Sequence, residues 1–171
     1  DTAREMPDRV RSLILVASSP SGFQYESPEL DEMWAEMERI EESRDWPTLV
    51  RREVEIWTDG IGQSPDRVSP DIRERMTRWG LENYMAEPGY GKPRLFTPPA
   101  VHHLAEVAQP TLVMWGDLDE PSTQKGSEAM AAGIPGARSH TFAGVAHMVD
   151  LERPQAFERL VLDFLAEVDA V

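Results

Sequence analysis

Two short apolar runs, far apart in the chain, constrain the fold more than any other feature. The first covers residues 13–17 (Leu-Ile-Leu-Val-Ala) and the second covers residues 111–115 (Thr-Leu-Val-Met-Trp). Near-continuous apolar runs of this length are typical of strands buried on both faces of a parallel sheet. A third, shorter strand is predicted at 137–142, after a helix at 122–132 that would serve as a crossover. The pattern predicts an α/β fold.

The segment between the first two strands has a different character. In residues 23–100 apolar side chains recur at helical spacing, and two further helix starts are predicted at Asp45 and at Ser69-Pro70. The stretch 87–99 has four prolines and two glycines and is predicted to be irregular. We therefore divide the chain into a core part at 1–22, a helical insert at 23–100 and a second core part at 101–171. Four of the five tryptophans are in the insert and are expected mainly in its core, with one or two as alternatives for lining a substrate pocket: Trp34, Trp46, Trp57 and Trp79.

Charge and composition exclude several classes of function. The formal net charge of the 171 residues is −14, which argues against a nucleic-acid partner or an anionic membrane surface. No apolar stretch reaches about 18 residues, and the first residues lack the layout of a signal peptide, so no membrane partner and a cytoplasmic location are predicted. The chain has no cysteine, which excludes a disulfide, a thiol nucleophile and a thiolate metal site within it.

Polar loops follow the second and third predicted strands directly. Residues 116–120 read Gly-Asp-Leu-Asp-Glu, and residues 143–147 read Ala-Gly-Val-Ala-His. With a normal crossover both loops leave the same sheet edge, where ligands bind in open α/β sheets. An acid and a histidine would then meet there, as an imidazole acting as a general base requires.

Taken singly, these residues also have plain structural interpretations. Asp117 and Glu120 are expected as solvated loop charges, and His102 and His103 as surface residues. His140 is expected inside the last strand. The adjacent His102 and His103 point in different directions, and no H-x-x-x-H spacing occurs, so no metal site and no cofactor are predicted.

Three stretches, taken in order, resemble one known family. Residues 7–17 resemble the helix end and strand that follow the nucleophile elbow of α/β-hydrolases. Residues 110–119 resemble the strand that carries the family's acid, and residues 143–154 resemble its histidine loop and the start of its closing helix. The insert lies where the family has its cap. The resemblance covers essentially the whole chain and implies the C-terminal part of an α/β-hydrolase parallel sheet with an inserted α-helical cap.

The resemblance also assigns roles to residues. Asp119 matches the triad acid, with Asp117 as its nearest competitor, and His147 matches the general base. The implied reaction is hydrolysis of a carboxylic ester or lactone by a Ser-His-Asp triad, without a cofactor, on a small apolar or moderately polar ester-like substrate. One alternative is an Asp nucleophile, as in an epoxide hydrolase or haloalkane dehalogenase. Another is a non-catalytic binding protein of the same fold.

The nucleophile itself has no candidate in the sequence. The family's Gly-x-Ser-x-Gly elbow is absent. Ser64 follows a single glycine in the insert, Ser127 lies within a predicted helix, and the serines after the first strand have no flanking elbow. We expect the nucleophile in an N-terminal portion of the same hydrolase, missing here or present as a separate chain. The 171 residues alone are expected to be incomplete and inactive.

Overall fold

The computed structural model describes residues 1–86 and 96–170. Residues 87–95 of the stretch predicted to be irregular therefore lie outside the described residues. The main helices and strands follow in the order α1 (Thr2–Glu5), β1 (Leu13–Val16), α2 (Pro28–Ser43), α3 (Trp46–Glu53), α4 (Pro70–Met85), β2 (Thr111–Gly116), α5 (Pro121–Gly133), β3 (Arg138–Phe142), α6 (Val149–Glu152) and α7 (Pro154–Asp169). Short 3-10 helices at Pro7–Arg9, Pro65–Arg67, Ala100–His102 and Leu104–Glu106, and a π-helical segment at Val54–Asp59, complete the described part of the chain.

The three strands form one parallel sheet in the order β1-β2-β3. β2 is buried along its whole length, and its side chains alternate between the two faces. Leu112 and Met114 pack in a cluster with Phe164 of α7 on one face. Val113 packs with Met130 of α5 on the other. Because both faces are covered by helices, the near-continuous apolar run of this strand is explained.

β1 differs from its prediction in burial and in length. All four of its residues are half-buried rather than buried, because among the described strands only β2 pairs with it. The strand also stops at Val16, although the apolar run continues. Ala17 takes a left-handed backbone conformation with φ of 43°, which ends the extended chain. The backbone N–H of Ala17 still donates to the carbonyl of Met114, at 2.8 Å.

The chain divides into two compact units, Asp1–Gln24 with Arg94–Val171 and Tyr25–Pro93. The first contains the sheet. The second contains α2, α3, the π-helical segment and α4, with a core around Met37, Leu49 and Ile56. For comparison, the insert boundaries expected from the sequence were 23 and 100.

Local signals explain where the helices of the second unit begin and end. Asp45 caps α3, because its side chain accepts from the backbone N–H of Thr48 at 3.2 Å. Gly60, with φ of 91°, ends the π-helical segment. Asp59, at the end of this segment, is buried and accepts two hydrogen bonds from the Arg73 guanidinium, at 2.7 and 2.9 Å.

One tryptophan does not occupy its expected place. Trp34, Trp46 and Trp57 pack around the core of the second unit, but Trp79 is 44% exposed and lies beneath the Arg75 guanidinium. Helical spacing alone placed Trp79 inside, yet α4 has no buried residue at all. Among the described residues, no helix is both long and apolar enough to cross a membrane.

Candidate functional site at the carboxyl edge of the sheet

The loops after β2 and β3 are joined along the carboxyl edge of the sheet. The backbone N–H of Asp117 donates to the carbonyl of Phe142 at 3.1 Å, and that of Leu118 donates to Val145 at 2.9 Å. Gly116 makes this approach possible. A Cβ at this position would lie 2.1 Å from the Val145 carbonyl oxygen and 2.3 Å from that of Ala146. The glycine at the end of the strand therefore determines how closely the two loops pack.

Asp119 and His147 meet between these loops. His147 Nδ1 lies 3.0 Å from each carboxylate oxygen of Asp119. The Asp119 side chain is fully buried, whereas that of His147 is 29% exposed. The structure thus brings together the two residues singled out from the sequence. Because Nδ1 faces the carboxylate, Nε2 is the ring nitrogen that would exchange a proton with a reacting group.

The Asp119 carboxylate is also held by the chain that follows it. The backbone N–H of Glu120 donates to Oδ1 of Asp119 at 2.7 Å. The side-chain amide of Gln124 donates to the Asp119 carbonyl at 2.5 Å. Both donors lie at the start of α5, so the beginning of this helix holds the carboxylate and the backbone of Asp119.

Asp117, the competing acid, has a different position and partner. It is exposed and accepts from the backbone N–H of Gly144 at 2.7 Å. On the far side of the histidine, Glu152 accepts from the backbone N–H of Ala146 at 3.0 Å. These two carboxylates fasten the loop that carries His147. The sequence showed both acids but offered no signal for their partners.

The prediction that Glu120 is a solvated loop charge is wrong. It is 2% exposed, and its Oε2 accepts from the backbone N–H of Thr123 at 2.9 Å and from the Thr123 hydroxyl at 3.2 Å. The side chain folds back to cap α5, which leaves it inside the protein. Glutamate is not among the favoured capping residues, but Pro121 at the first helical position marks residue 120 as the cap.

The other histidines lie outside this pair. His103 Nδ1 lies 2.6 Å from Glu106 Oε1, and this contact, together with Arg4, lowers the pKa of the Glu106 carboxyl. His102 is exposed, and the exposed His140 packs edge-on against Phe142 with ring centroids 4.6 Å apart. In the described part of the chain, no three potential metal-ligating side chains of the His, Cys, Asp and Glu types cluster together.

The serines considered as nucleophiles have structural partners. Ser127 is buried and donates to the carbonyl of Ser18 at 2.9 Å. Ser64 accepts from the backbone N–H of Asp66 at the start of a 3-10 helix. Ser21 donates to the Asp1 carboxylate at 2.9 Å and accepts from the backbone N–H of Ala100 at 2.8 Å. These contacts tie loops and helices to the core.

Asp119 and His147 together have the geometry of a general base, in which a carboxylate orients an imidazole. A buried carboxylate that accepts from Nδ1 fixes the tautomer of the imidazole and stabilises the imidazolium that forms when Nε2 accepts a proton. A nucleophile or water placed at Nε2 would thereby be activated.

Comparison with known proteins finds relatives that are named as hydrolases. No protein-family model matches it. A 2-hydroxy-6-oxononadienedioate/2-hydroxy-6-oxononatrienedioate hydrolase from Pseudomonas putida is 38% identical over 104 residues, which are 56% of this chain and 36% of that protein. A protein of the same name from Escherichia coli is 27% identical over 164 residues, covering 94% of this chain and 55% of its own length. The chain thus spans about half, or less, of the length of these curated relatives.

Several solved structures of hydrolases have a fold similar to that of this chain. A hydrolase from Pseudomonas aeruginosa superimposes with a TM-score of 0.66 at 26% identity, over 96% of this chain and 58% of that one. An enol-lactonase from Burkholderia xenovorans has a TM-score of 0.68 at 20% identity, over 96% and 60% of the two chains. A carboxylesterase from Bacillus subtilis has a TM-score of 0.62 at 21% identity, over 95% and 54%. Each superposition uses almost all of this chain and little more than half of its neighbour.

Proposed function

We propose that this chain, which belongs to the α/β-hydrolase superfamily, supplies the acid and the base of a hydrolase that cleaves small carboxylic esters or lactones. Asp119 is the acid and His147 the base. His147 takes the proton from the attacking nucleophile and returns it to the leaving group, while Asp119 stabilises the charged imidazole.

A single observation supports this proposal most strongly. A fully buried carboxylate lies 3.0 Å from Nδ1 of a partly exposed imidazole, at the carboxyl edge of a parallel sheet. A buried charge is costly unless it is paired, and a structural role would not require an exposed histidine as the partner. A base for catalysis needs both features, because the acid must be shielded and the imidazole must reach the substrate.

We further propose that the nucleophile comes from an N-terminal portion of the same hydrolase, present as another segment or another chain. Three observations support this. The sequence has no Gly-x-Ser-x-Gly elbow. The outer edge of β1 has no partner among the described strands, although its side chains are apolar. The Escherichia coli relative is nearly twice as long as the part that this chain matches.

For the second unit we propose the role of a cap that contributes to substrate selection. It contains a cleft of about 1110 Å³, lined by apolar residues such as Leu81 and Met85 and by polar residues such as Arg73 and Thr77. None of the four tryptophans of the insert is among the described residues that line it. Such a mixture suits a small organic substrate with both apolar and polar parts.

A second candidate reaction follows from the curated relatives. Their names describe hydrolases of 2-hydroxy-6-oxo dienedioates and trienedioates, compounds with a ketone and two carboxylates but no ester. Attack on that ketone carbonyl would need the same base and acid. The 38% identity over 104 residues favours this carbonyl class as the alternative to esters and lactones.

Covalent labelling of the complete protein with a fluorophosphonate tests the nucleophile and the base together. An activated serine is labelled, and the rate of labelling should fall at least about 100-fold in His147→Ala, because the hydroxyl loses its base. Absence of labelling in an active wild-type protein would overturn the serine proposal and favour an Asp nucleophile. A panel of aryl esters, lactones and an oxo-dienedioate then distinguishes the two reactions.

A further inference from the structure

We propose that Glu120 is a positioning residue for the Asp119–His147 pair. Its side chain caps α5, and this cap holds its own backbone N–H on the carboxylate of Asp119. The inference rests on the proposed role of Asp119 and adds a residue that acts through it.

Glu120 contacts both the first turn of α5 and the carboxylate of Asp119. Oε2 of Glu120 accepts from the backbone N–H and the hydroxyl of Thr123, and the backbone N–H of Glu120 donates to Oδ1 of Asp119 at 2.7 Å. The side-chain contacts fix the backbone of Glu120, and the direction of its N–H follows. Oδ1 of Asp119 therefore accepts a hydrogen bond from the backbone N–H of Glu120 and lies 3.0 Å from Nδ1 of His147.

The burial of Glu120 is unusual for a residue that only caps a helix. Glu120 is 2% exposed, yet its Oε1 has no hydrogen-bond partner among the described residues. A serine is a favoured cap at such a position and would bury one hydroxyl in place of a carboxylate. Stability of α5 alone does not explain a buried carboxylate with one unsatisfied oxygen. The need to hold the backbone N–H of Glu120 against the carboxylate of Asp119 does explain it.

Loss of the Glu120 cap would disturb the Asp119–His147 pair. Without the cap, the first turn of α5 is free to change its backbone angles, and the N–H of Glu120 leaves Oδ1. The carboxylate can then rotate away from Nδ1. Loss of alignment between the Asp119 carboxylate and Nδ1 of His147 lowers the rate of proton transfer and leaves substrate binding largely unchanged.

The experiment compares Glu120→Ala and Glu120→Gln in the complete protein. Glutamine has the same shape and keeps an acceptor oxygen for Thr123, so it should behave like the wild type. For Glu120→Ala, kcat should fall by about 10- to 100-fold with KM within about threefold of the wild type. The NMR resonance of the His147 Nδ1 proton, downfield in the wild type and in Glu120→Gln, should be lost or moved upfield in Glu120→Ala.

Asp45→Ala is the matched control, because it removes a comparable side-chain cap from α3 in the other unit. It should lower thermal stability through the loss of a cap and leave the His147 resonance unchanged. The proposal is overturned if Glu120→Ala leaves the resonance as in the wild type, if Asp45→Ala removes it equally, or if Glu120→Gln also loses it. If Glu120→Ala does not fold, Thr123→Val takes its place: it removes the hydroxyl that donates to Oε2 of Glu120 at 3.2 Å, it should move the His147 resonance upfield, and an unchanged resonance would overturn the proposal. Because the NMR measurement needs no turnover, it tests the positioning role of Glu120 even if the protein lacks the proposed hydrolase activity.

Discussion

Two aspartates that lie two positions apart have different surroundings and different proposed roles. Asp119 is buried against His147, and Asp117 is exposed at the same loop. In the complete protein, Asp119→Asn should lower kcat by about 10³- to 10⁴-fold, because an amide cannot hold the required tautomer or stabilise the imidazolium. Steady-state kinetics on the preferred ester would measure it.

Asp117→Asn is the paired control for this change. The asparagine keeps an oxygen that can accept from the backbone N–H of Gly144, so the loop should stay in place. Turnover should remain within about threefold of the wild type, as for a surface change away from the reacting atoms. A large loss in Asp117→Asn together with normal activity in Asp119→Asn would show that the acid is assigned to the wrong residue.

Glu53 gives a pH-dependent prediction at the same scale. Partial burial raises the pKa of its carboxyl above the ordinary value of 4.5, against the opposing effect of a 2.5 Å hydrogen bond from the Tyr84 hydroxyl. Because the pKa of Glu53 is higher in the folded state than in the unfolded state, ionised Glu53 stabilises the folded protein less than protonated Glu53 does. Relative to Glu53→Gln, the wild type should therefore lose stability as pH rises through the folded-state pKa.

Urea unfolding of the two proteins at several pH values checks this directly. Their free energies of unfolding should differ least below pH 4.5, where the carboxyl is protonated in both states. The difference should grow in favour of Glu53→Gln towards neutral pH. A difference independent of pH would show that Glu53 does not titrate differently in the folded and unfolded states.

At the scale of elements, the junction of the two loops depends on Gly116. A methyl group there would meet two backbone carbonyl oxygens at 2.1 and 2.3 Å, which side-chain motion cannot relieve. Gly116→Ala should therefore destabilise the protein by more than about 2 kcal/mol and weaken the His147 loop. Gly62→Ala is the control, since its Cβ would meet open space and only a positive φ of 73° is strained, at about 1 kcal/mol. Equal destabilisation in the two variants would contradict the steric explanation.

The elements also show how far sequence reasoning reaches. The apolar run of β2 and the polar residues after β2 and β3 were sufficient to predict a parallel sheet and the meeting of an acid with a histidine, whereas the choice of Asp119 over Asp117 came from the resemblance to α/β-hydrolases. Half-burial of β1 could not be predicted, because an apolar run does not reveal whether both strand edges are paired. Its end at Val16 depends on the left-handed Ala17, a conformation for which alanine has no preference. Glu120 was misjudged because glutamate is a rare cap.

Across the whole molecule, the described residues contain a three-stranded parallel sheet and two of the three proposed catalytic groups. We expect the isolated 171 residues to show no ester turnover above the uncatalysed rate, because a base without its nucleophile has nothing to activate. Assays with activated aryl esters at micromolar protein measure this. Robust turnover by the isolated chain, abolished in His147→Ala, would show that a nucleophile lies within it.

Whether the Asp119–His147 pair drives the reaction is decided by the turnover of the complete protein with and without the proposed base. His147→Ala should lower kcat by at least about 10³-fold, because the nucleophile loses its general base. His103→Ala removes a histidine that also pairs with a carboxylate, Glu106, outside the proposed site, and it should keep wild-type turnover. Wild-type turnover in His147→Ala, or an equal loss in both variants, would contradict the claim that the Asp119–His147 pair drives the reaction.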